Sequence, residues 1–290
     1  MQEGTSSSTI GVMLRVSPEQ QSALRDVYAF ARKNTYSDLY RDLPEPKGEA
    51  TELLRHMPIL TKKQLQDAER LSHYPNREVR YLTSTFDPEA VDDLFLVPQH
   101  ISEPWPQFSK LLTDVQPQVA LLSVPLVWQI APYVYHTCRE NKTPLSVVSY
   151  RNLPLARQII RETNAQLVVS TPDIARDLFA LLKEEGMHNQ IRAWLLITPL
   201  GHSPEIPMLP GAVIVEQHVF PGVPVGYTER SSMTHAERGT SFNLGEGWLL
   251  EKNETGGSLL TSLTKRALPL MRFDVGARFT HEKRTYGYDE

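Results

Sequence analysis

The side chains best suited to covalent or metal chemistry are few and widely separated. Cys138, in the segment YHTCREN, is the only cysteine, so neither an intrachain disulfide nor a zinc site built from cysteines can form. Its thiol is a candidate acyl acceptor, and the alternative, which the helical pattern favours, is a half-buried structural cysteine. The nine histidines show no HExxH or similarly tight spacing, and no Gly-x-Ser-x-Gly elbow occurs. A transition-metal site and an ordinary serine hydrolase are therefore both disfavoured.

The placement of glycine restricts nucleotide chemistry. No glycine occurs in the 137 residues between Gly48 and Gly186. Phosphate-binding loops need glycine, because only a residue without Cβ lets backbone N–H groups approach phosphate closely. This stretch therefore contains neither a P-loop nor a Rossmann fingerprint. The later run ETGGS, residues 254–258, predicts a hairpin turn, with a phosphate-binding loop as the alternative.

Three patterns follow one another along the chain and predict the elements that position these side chains. Apolar residues at helical spacing follow Pro18, and TKKQLQDAERL predicts a further helix capped by Thr61 and Gln64. From Val79, helical segments alternate with short apolar runs such as VALLSV and QLVVSTP, which is typical of βα units and a largely parallel sheet. Beyond Pro207, short strands between Gly and Pro turns predict an antiparallel, β-rich closing portion.

We therefore predict an α/β fold with a mostly parallel sheet, flanking helices and a β-rich closing portion. The predicted segments are a helical one over 1–76, an α/β one over 77–206 and a β-rich one over 207–290. The chain has 290 residues, of which 40% are hydrophobic, enough to bury a substantial core.

Charge and hydropathy exclude several classes of partner. The net charge of −4 gives no basic field for nucleic acid or an anionic membrane. The most apolar stretch, residues 119–135, is interrupted by Pro125, Gln129 and Pro132, and so predicts buried core rather than a membrane span. The start MQEGTSSST lacks the basic and apolar regions of a signal peptide. We expect a cytoplasmic protein that binds neither nucleic acid nor membrane.

Several motifs resemble, in chain order, those of the adenylate-forming enzymes, closest to phenylacetate–CoA ligases and acyl-protein synthetases. The most specific is TSLTKRALPLMRFDVG, residues 261–276, which is similar to the family run T-L-x-x-x-x-x-P-L-I-R-Y-R-T-G-D. In the family this run ends the large amino-terminal domain, and the resemblance implies the α/β fold of that domain. Weaker matches upstream are RHMPILTKKQLQDA, QIIRETNAQLVVSTPDIARDL and VGYTE.

The family reaction joins a carboxylic acid to ATP, giving an acyl-adenylate and pyrophosphate, and then transfers the acyl group to a thiol. In VGYTE the resemblance implies that Gly226 and Thr228 belong to the AMP-binding motif and that Thr228 contacts the AMP phosphate. It implies that Glu229 holds Mg²⁺, a hard cation that carboxylates bind. Val225 replaces the family's adenine-stacking aromatic residue, which leaves Tyr227 as the candidate substitute.

At the position of the family's phosphate loop, Thr83, Ser84 and Thr85 remain as hydroxyls, but the glycines of that loop are missing. The family's small carboxy-terminal domain, with its catalytic lysine, is also expected to be absent because the chain stops at Glu290. That lysine would stabilise charge in the transition state.

The resemblance also implies a ribose contact and a contact with the acyl group. Gly276 is kept in the ribose motif, but Ala277 replaces the aspartate that bonds the ribose hydroxyls, so Asp274 is the candidate substitute. His202 lies where the family has a strand end near the acyl pocket. It is a candidate substrate contact, and a solvent-facing loop histidine is the alternative.

Three functions remain open. The chain is an atypical adenylate-forming protein that binds an organic acid, aromatic acids being one candidate class, and activates it with ATP and Mg²⁺. Alternatively, it is a catalytically silent relative that binds the acid or serves as a scaffold. In the third case it is half of a split ligase, completed by a separate small domain and a thiol acceptor. Because the losses fall on nucleotide contacts, we predict weak ATP affinity.

Overall fold

The computed structural model of the chain describes residues 16–33, 38–55, 57–71, 80–84, 95–99, 105–125, 128, 130–200, 209–220, 223–230, 242–253, 257–264 and 269–275. Within these ranges the α-helices are α1 (Pro18–Lys33), α2 (Ala50–Arg55), α3 (Lys62–Leu71), α4 (Pro106–Val115), α5 (Ala131–Glu140), α6 (Leu153–Thr163) and α7 (Pro172–Glu184).

The described strands form sheets of two, three and seven strands. The two-stranded sheet contains β1 (Arg80–Ser84) and β2 (Phe95–Gln99). The seven-stranded sheet contains β3 (Ala120–Ser123), β4 (Leu145–Val147), β5 (Leu167–Ser170), β6 (Ala193–Pro199), β7 (Val213–Phe220), β8 (Val223–Arg230) and β9 (Phe242–Leu244). The three-stranded sheet contains β10 (Trp248–Lys252), β11 (Ser258–Ser262) and β12 (Phe273–Asp274).

The seven-stranded sheet has the order β4-β3-β5-β6-β7-β8-β9. The strands from β4 to β7 are parallel, and β8 and β9 extend the sheet antiparallel. This confirms the predicted α/β fold with a mostly parallel sheet. The strand order reverses between β3 and β5, and ligands of open α/β sheets bind at such a reversal, outside the carboxyl ends of the strands.

Local signals read from the sequence explain where several helices begin. The Thr61 side chain accepts a hydrogen bond from Gln64 N at 3.3 Å, and Gln64 Oε1 accepts one from Thr61 N at 2.9 Å. Ser17 and Gln20 form the same reciprocal pair before α1. Each pair satisfies N–H groups that the first helical turn leaves without a partner. The predicted capping box at Thr61 is therefore confirmed.

Side-chain alternation along the parallel strands gives the sheet two buried faces. Residues such as Leu122, Val169 and Leu195 pack against α4 and α5 in one core cluster. Their neighbours, such as Val168 and Trp194, pack against α6 and α7 in another. Because both faces are covered, the parallel strands are continuously apolar until close to their carboxyl ends.

A third core cluster joins the amino-terminal helices to the β-rich portion. It contains Leu24, Leu54 and Leu60 together with Trp248 and Phe273. The seven-stranded sheet continues across the predicted boundary at residue 206, because β6 and β7 are paired along their length. The division of the chain at residues 76 and 206 stays a prediction. The third core cluster contains residues from both sides of 76, and the β6–β7 pairing spans 206.

Two further predictions concern single features of the core. Cys138 is 1% exposed, more deeply buried than expected, and burial raises the pKa of its thiol to about 12. A thiol with that pKa is a poor nucleophile near neutral pH. Among the described helices, none is both long and apolar enough to cross a membrane.

Candidate functional site

A row of buried polar side chains crosses one face of the seven-stranded sheet, near the carboxyl ends of its parallel strands. The face is the one covered by α6 and α7, as the alternation along each strand determines. We call these residues the polar row: Ser123 of β3, Ser170 of β5, Thr198 of β6, Glu216 and His218 of β7, and Thr228 of β8. Their exposed fractions range from 0% to 8%. Such a row is unusual, because buried positions of a parallel sheet are normally apolar.

Register brings the members of the polar row close to one another. Ser123 pairs with Ser170, and Thr198 pairs with His218. Glu216 pairs with Thr228 across the antiparallel strands. Paired residues on neighbouring strands lie about 5 Å apart, within reach of a single small ligand.

His218 lies at the centre of the polar groups on β7 and β8. Its Nε2 is 3.4 Å from Thr228 Oγ1 and 3.9 Å from Glu216 Oε1. The imidazole also packs edge-on against the Phe242 ring, with 5.3 Å between the ring centroids. Burial excludes water from these groups and strengthens the electrostatic interactions between them. Because an imidazole nitrogen can donate or accept a hydrogen bond, His218 is the member of the polar row best suited to acid–base chemistry.

Two hydroxyls of the polar row have no hydrogen-bond partner within the described residues. They are Ser170 Oγ and Thr198 Oγ1, and both residues are 0% exposed. Burying a hydroxyl unpaired costs about 1–3 kcal/mol, so such a group is normally explained by a ligand, an ion or an internal water. The two donors lie at the edge of the sheet where ligands of this architecture bind, and their chemistry suits carboxylate or phosphate oxygens.

Gln217 fixes the backbone from which His218 projects. Its Nε2 donates to the carbonyls of His218 at 3.0 Å and of Gly226 at 2.7 Å, and its Oε1 accepts from Trp105 Nε1 at 2.9 Å. The strand register shifts between His218 and Val219. The amide therefore holds β7 and β8 together beside this irregularity and ties both to the start of α4.

The residues of VGYTE do not converge on one point, because they occupy consecutive positions of a strand. Thr228 is 4% exposed and faces the polar row. Glu229 points to the opposite face, where its Oε1 lies 3.6 Å from Lys110 Nζ and its side chain is 56% exposed. The structure thus brings Thr228 to His218 and Glu216, and it does not bring Glu229 to them.

The structure shows how Gly226 and Tyr227 pack within the sheet. A Cβ on Gly226 would lie 2.5 Å from Phe242 Cζ and 2.7 Å from the Asn243 carbonyl oxygen, so this glycine permits β9 to pack closely. Tyr227 is half-buried and packs on the α4–α5 side of the sheet, the face opposite Thr228. The nucleotide-binding roles of Gly226 and Tyr227 stay predictions.

The remaining predicted nucleotide contacts lie in other sheets or outside the described residues. Thr83 and Ser84 belong to β1 of the two-stranded sheet, opposite Leu96 and Phe95. Asp274 is half-buried in β12, and its N–H donates to the Leu60 carbonyl at 2.9 Å. Residues lying outside the described ranges include Thr85, His202 and Gly276. The roles of all these residues stay predictions.

Sequence reasoning found Thr228 but missed the other five residues of the polar row. A signal was present in the strands VALLS, LVVS and LLIT, each of which ends its apolar run with a hydroxyl residue. Parallel strands end at the same edge of a sheet, so these hydroxyls belong together. Glu216 and His218 gave no such signal, because EQH reads as a polar interruption until the pairing of β7 is known.

The fold, a mostly parallel sheet flanked by helices and joined to a β-rich portion, is shared with a solved CoA ligase. The structure is similar to that of 2-hydroxyisobutyryl-CoA ligase in complex with 2-HIB-AMP and CoA. In the thioesterification state the TM-score is 0.59 at 12% identity, over 89% of this chain and 62% of the ligase. In an open conformation the TM-score is 0.60, also at 12% identity, over 89% and 63% of the two chains.

A more partial likeness is to the o-succinylbenzoate coenzyme A synthetase of Bacillus subtilis in complex with AMP. Its TM-score is 0.44 at 12% identity, over 64% of this chain and 41% of the synthetase. No protein-family model matches the sequence, and no curated protein matches it. The chain spans about three fifths of the length of the 2-hydroxyisobutyryl-CoA ligase that it resembles.

Proposed function

We propose that the polar row binds the carboxylate of a small organic acid and that the chain takes part in activating this acid as an acyl-adenylate. Three observations support the proposal. The fold is shared with a ligase described with an acyl-AMP and CoA. The polar row lies at the carboxyl ends of the parallel strands, where such folds bind ligands. The hydroxyls of Ser170 and Thr198, which have no hydrogen-bond partner among the described residues, carry the proposal because they are buried donors at that edge.

The described residues suggest how the acid is held. Thr198 and Ser170 donate hydrogen bonds to carboxylate oxygens, and His218, positioned by Gln217, supplies a further donor when its Nε2 is protonated. Thr228 orients that imidazole through the 3.4 Å contact. Aromatic acids are one candidate class, and the Phe242 ring, which packs edge-on against His218, offers an apolar surface beside the polar row.

ATP is the proposed co-substrate, and it would supply the adenylyl group to the bound carboxylate. The hydroxyls of the polar row suit phosphate oxygens, and the Glu216 carboxylate, 3.9 Å from His218, suits a hard cation such as Mg²⁺. Glu229 fits that metal role less well, since it faces Lys110 on the other side of the sheet. A thiol acceptor, and a separate small domain that completes the site, are further elements of the proposal.

A second candidate function is acid binding without catalysis. The observation that favours it is the charge of the polar row, which contains a carboxylate and no lysine or arginine among its six residues. A triphosphate carries several negative charges, which adenylate-forming chemistry must neutralise. The isolated chain is therefore expected to bind ATP weakly and to adenylate slowly or not at all.

Binding and turnover distinguish the two candidates. Calorimetric titration with a panel of aryl and short hydroxy acids measures acid binding, and pyrophosphate release with Mg-ATP measures adenylation. Replacing Thr198 by Val removes one buried donor and should weaken acid binding about tenfold, the effect of losing a hydrogen bond to a charged group. The matched control is Thr113→Val on the exposed surface of α4.

The outcomes assign the function as follows. Acid binding with pyrophosphate release supports activation, and acid binding alone supports the second candidate. If Thr198→Val and Thr113→Val bind the acids equally well, the polar row is not the acid site. Absence of binding by every acid in the panel would contradict both candidates.

A further inference from the structure

A groove lies on the face of the seven-stranded sheet opposite the polar row, near the other end of the strands. It runs between α4 and the first residues of β7, beside β8, with a volume of about 580 Å³. That volume is in the range of small-molecule sites in proteins. The groove lies near the amino ends of β6 and β7, on the face of Tyr227 and Glu229. The polar row lies on the reverse face, towards the carboxyl ends, so the two sites do not overlap.

The wall of the groove is apolar and includes an exposed aliphatic side chain. Leu111 and Val115 of α4 are buried along it, and the ring of Tyr227 is half-buried there. Val213, at the start of β7, is 50% exposed. An exposed valine within a concave apolar wall gains stabilisation when a ligand covers it.

The charges around the groove define what it can hold. Lys110 and Glu229 form an ion pair with each other at 3.6 Å. The Arg192 guanidinium and the Asp114 carboxylate also line the groove, and neither side chain has a hydrogen bond or ion pair within the described part of the chain. Counting only contacts between described residues, the groove thus offers one cation and one anion without partners beside an apolar wall.

We propose that this groove binds a small zwitterion with an apolar body, of the chemical class of apolar and aromatic α-amino acids. The ligand carboxylate pairs with Arg192 and the ligand ammonium pairs with Asp114. The apolar side chain covers Val213 and packs against Leu111 and the Tyr227 ring. A ligand with a single charge satisfies only one of the two uncommitted groups, and a neutral one satisfies neither.

Three probes with the same apolar body separate these cases: L-phenylalanine, 3-phenylpropanoate and 2-phenylethylamine. Ligand-observed NMR titration measures their affinities for the full chain. Phenylalanine is expected to bind about two- to fivefold more tightly than either singly charged probe, since an exposed ion pair is worth about 0.2–1 kcal/mol. Arg192→Gln should remove its advantage over phenylethylamine, and Asp114→Asn should remove its advantage over phenylpropanoate.

Two variants distinguish this groove from the polar row. Val213→Trp fills the groove at an exposed position and should abolish the binding, while Val213→Thr, of similar size, should retain most of it. Because the carboxylate probes could also bind the polar row, the titrations are repeated in the Thr198→Val background, where the preference for phenylalanine over both singly charged probes should persist. The inference is overturned if the three probes bind equally, if none binds saturably, or if phenylalanine binds the Val213→Trp variant as well as it binds the unmodified chain. Thermal melts of each variant check that the fold is intact.

Discussion

Glu251 of β10 is an ionisable residue whose carboxylate is largely buried. Its side chain is 14% exposed, its Oε1 lies 3.5 Å from Arg272 Nε, and its Oε2 has no hydrogen-bond partner within the described residues. Burial raises the pKa of Glu251 to about 7, and the attraction of Arg272 offsets only part of that rise. At this residue the cost of removing a carboxylate from water exceeds the gain from its partner.

The raised pKa of Glu251 predicts how stability varies with pH. The folded carboxyl keeps its proton up to about pH 7, whereas in the unfolded chain it loses the proton near its ordinary pKa of 4.5. The contribution of Glu251 to the free energy of unfolding, about 3 kcal/mol, is therefore complete below pH 4.5. It is lost as the pH rises towards 7. Denaturant titrations across this range should show the loss, and Glu251→Gln should remove it. Glu246→Gln, in an exposed turn nearby, should not alter the profile.

Glu216 and Glu229 provide a second test at the level of single residues. Glu216 is 3% exposed in the polar row, and Glu229 is exposed on the other face beside Lys110. A buried carboxylate beside the proposed acid site repels the bound anion. Glu216→Gln should therefore tighten acid binding about tenfold in calorimetry, a change of about 1.4 kcal/mol. Glu229→Gln should change it less than twofold, and the reverse result would mean that the acid binds on the face of Glu229 and Lys110 instead of in the polar row.

At the level of elements, the contact between β8 and β9 depends on a missing side chain. A methyl group at Gly226 would meet Phe242 Cζ at 2.5 Å and a backbone oxygen of β9 at 2.7 Å. Gly226→Ala should therefore destabilise the chain by about 1–3 kcal/mol, as overpacking does. Gly247→Ala, whose nearest contact would be Thr264 Cγ2 at 3.4 Å, is the matched control. Equal melting temperatures for the two variants would show that β9 moves freely from β8.

The elements themselves could be predicted from the sequence, because their signals are local. Helical spacing, the capping box at Thr61 and the alternation of helices with apolar runs depend on residues close together in the chain. The site could not be predicted so well, because a strand's faces are assigned only by its pairing. VGYTE illustrates the difference: its letters match a family motif, but within β8 they place Thr228 and Glu229 on opposite faces.

Pairing also explains why the resemblance predicted the fold, while the nucleotide contacts that it implies stay predictions. The fold depends on the order and hydrophobicity of many segments, which the chain keeps at 12% identity with the ligase. A nucleotide contact depends on one residue at one register position. His218 and Thr198 meet only because β6 and β7 are aligned over their whole length. No short motif encodes that alignment.

At the scale of the whole molecule, Arg272 joins the amino-terminal helices to the β-rich portion. It adopts a left-handed backbone conformation with φ of 51°, its carbonyl accepts from Leu60 N at 3.0 Å, and its Nη1 donates to the Met57 carbonyl at 2.9 Å. Its N–H donates to Thr261 Oγ1 at 2.9 Å. With the ion pair to Glu251, this one residue contacts three segments that are distant in sequence.

Replacing Arg272 by Met tests whether that junction holds the two parts together. The change removes the charge that faces Glu251, so above about pH 8, where Glu251 is ionised, it should cost about 3–5 kcal/mol, as breaking a buried ion pair does. Below about pH 5 the loss should be smaller, because Glu251 is then protonated and needs no counter-charge.

Hydrogen exchange in the Arg272→Met variant should accelerate around Met57 and in β10–β12, and much less in β5 and β6, which other helices cover. Arg176→Met, at an exposed pair with Asp177, is the control. Uniform acceleration over the described chain would mean that the amino-terminal helices, the β-rich portion and the parallel sheet unfold as one cooperative unit.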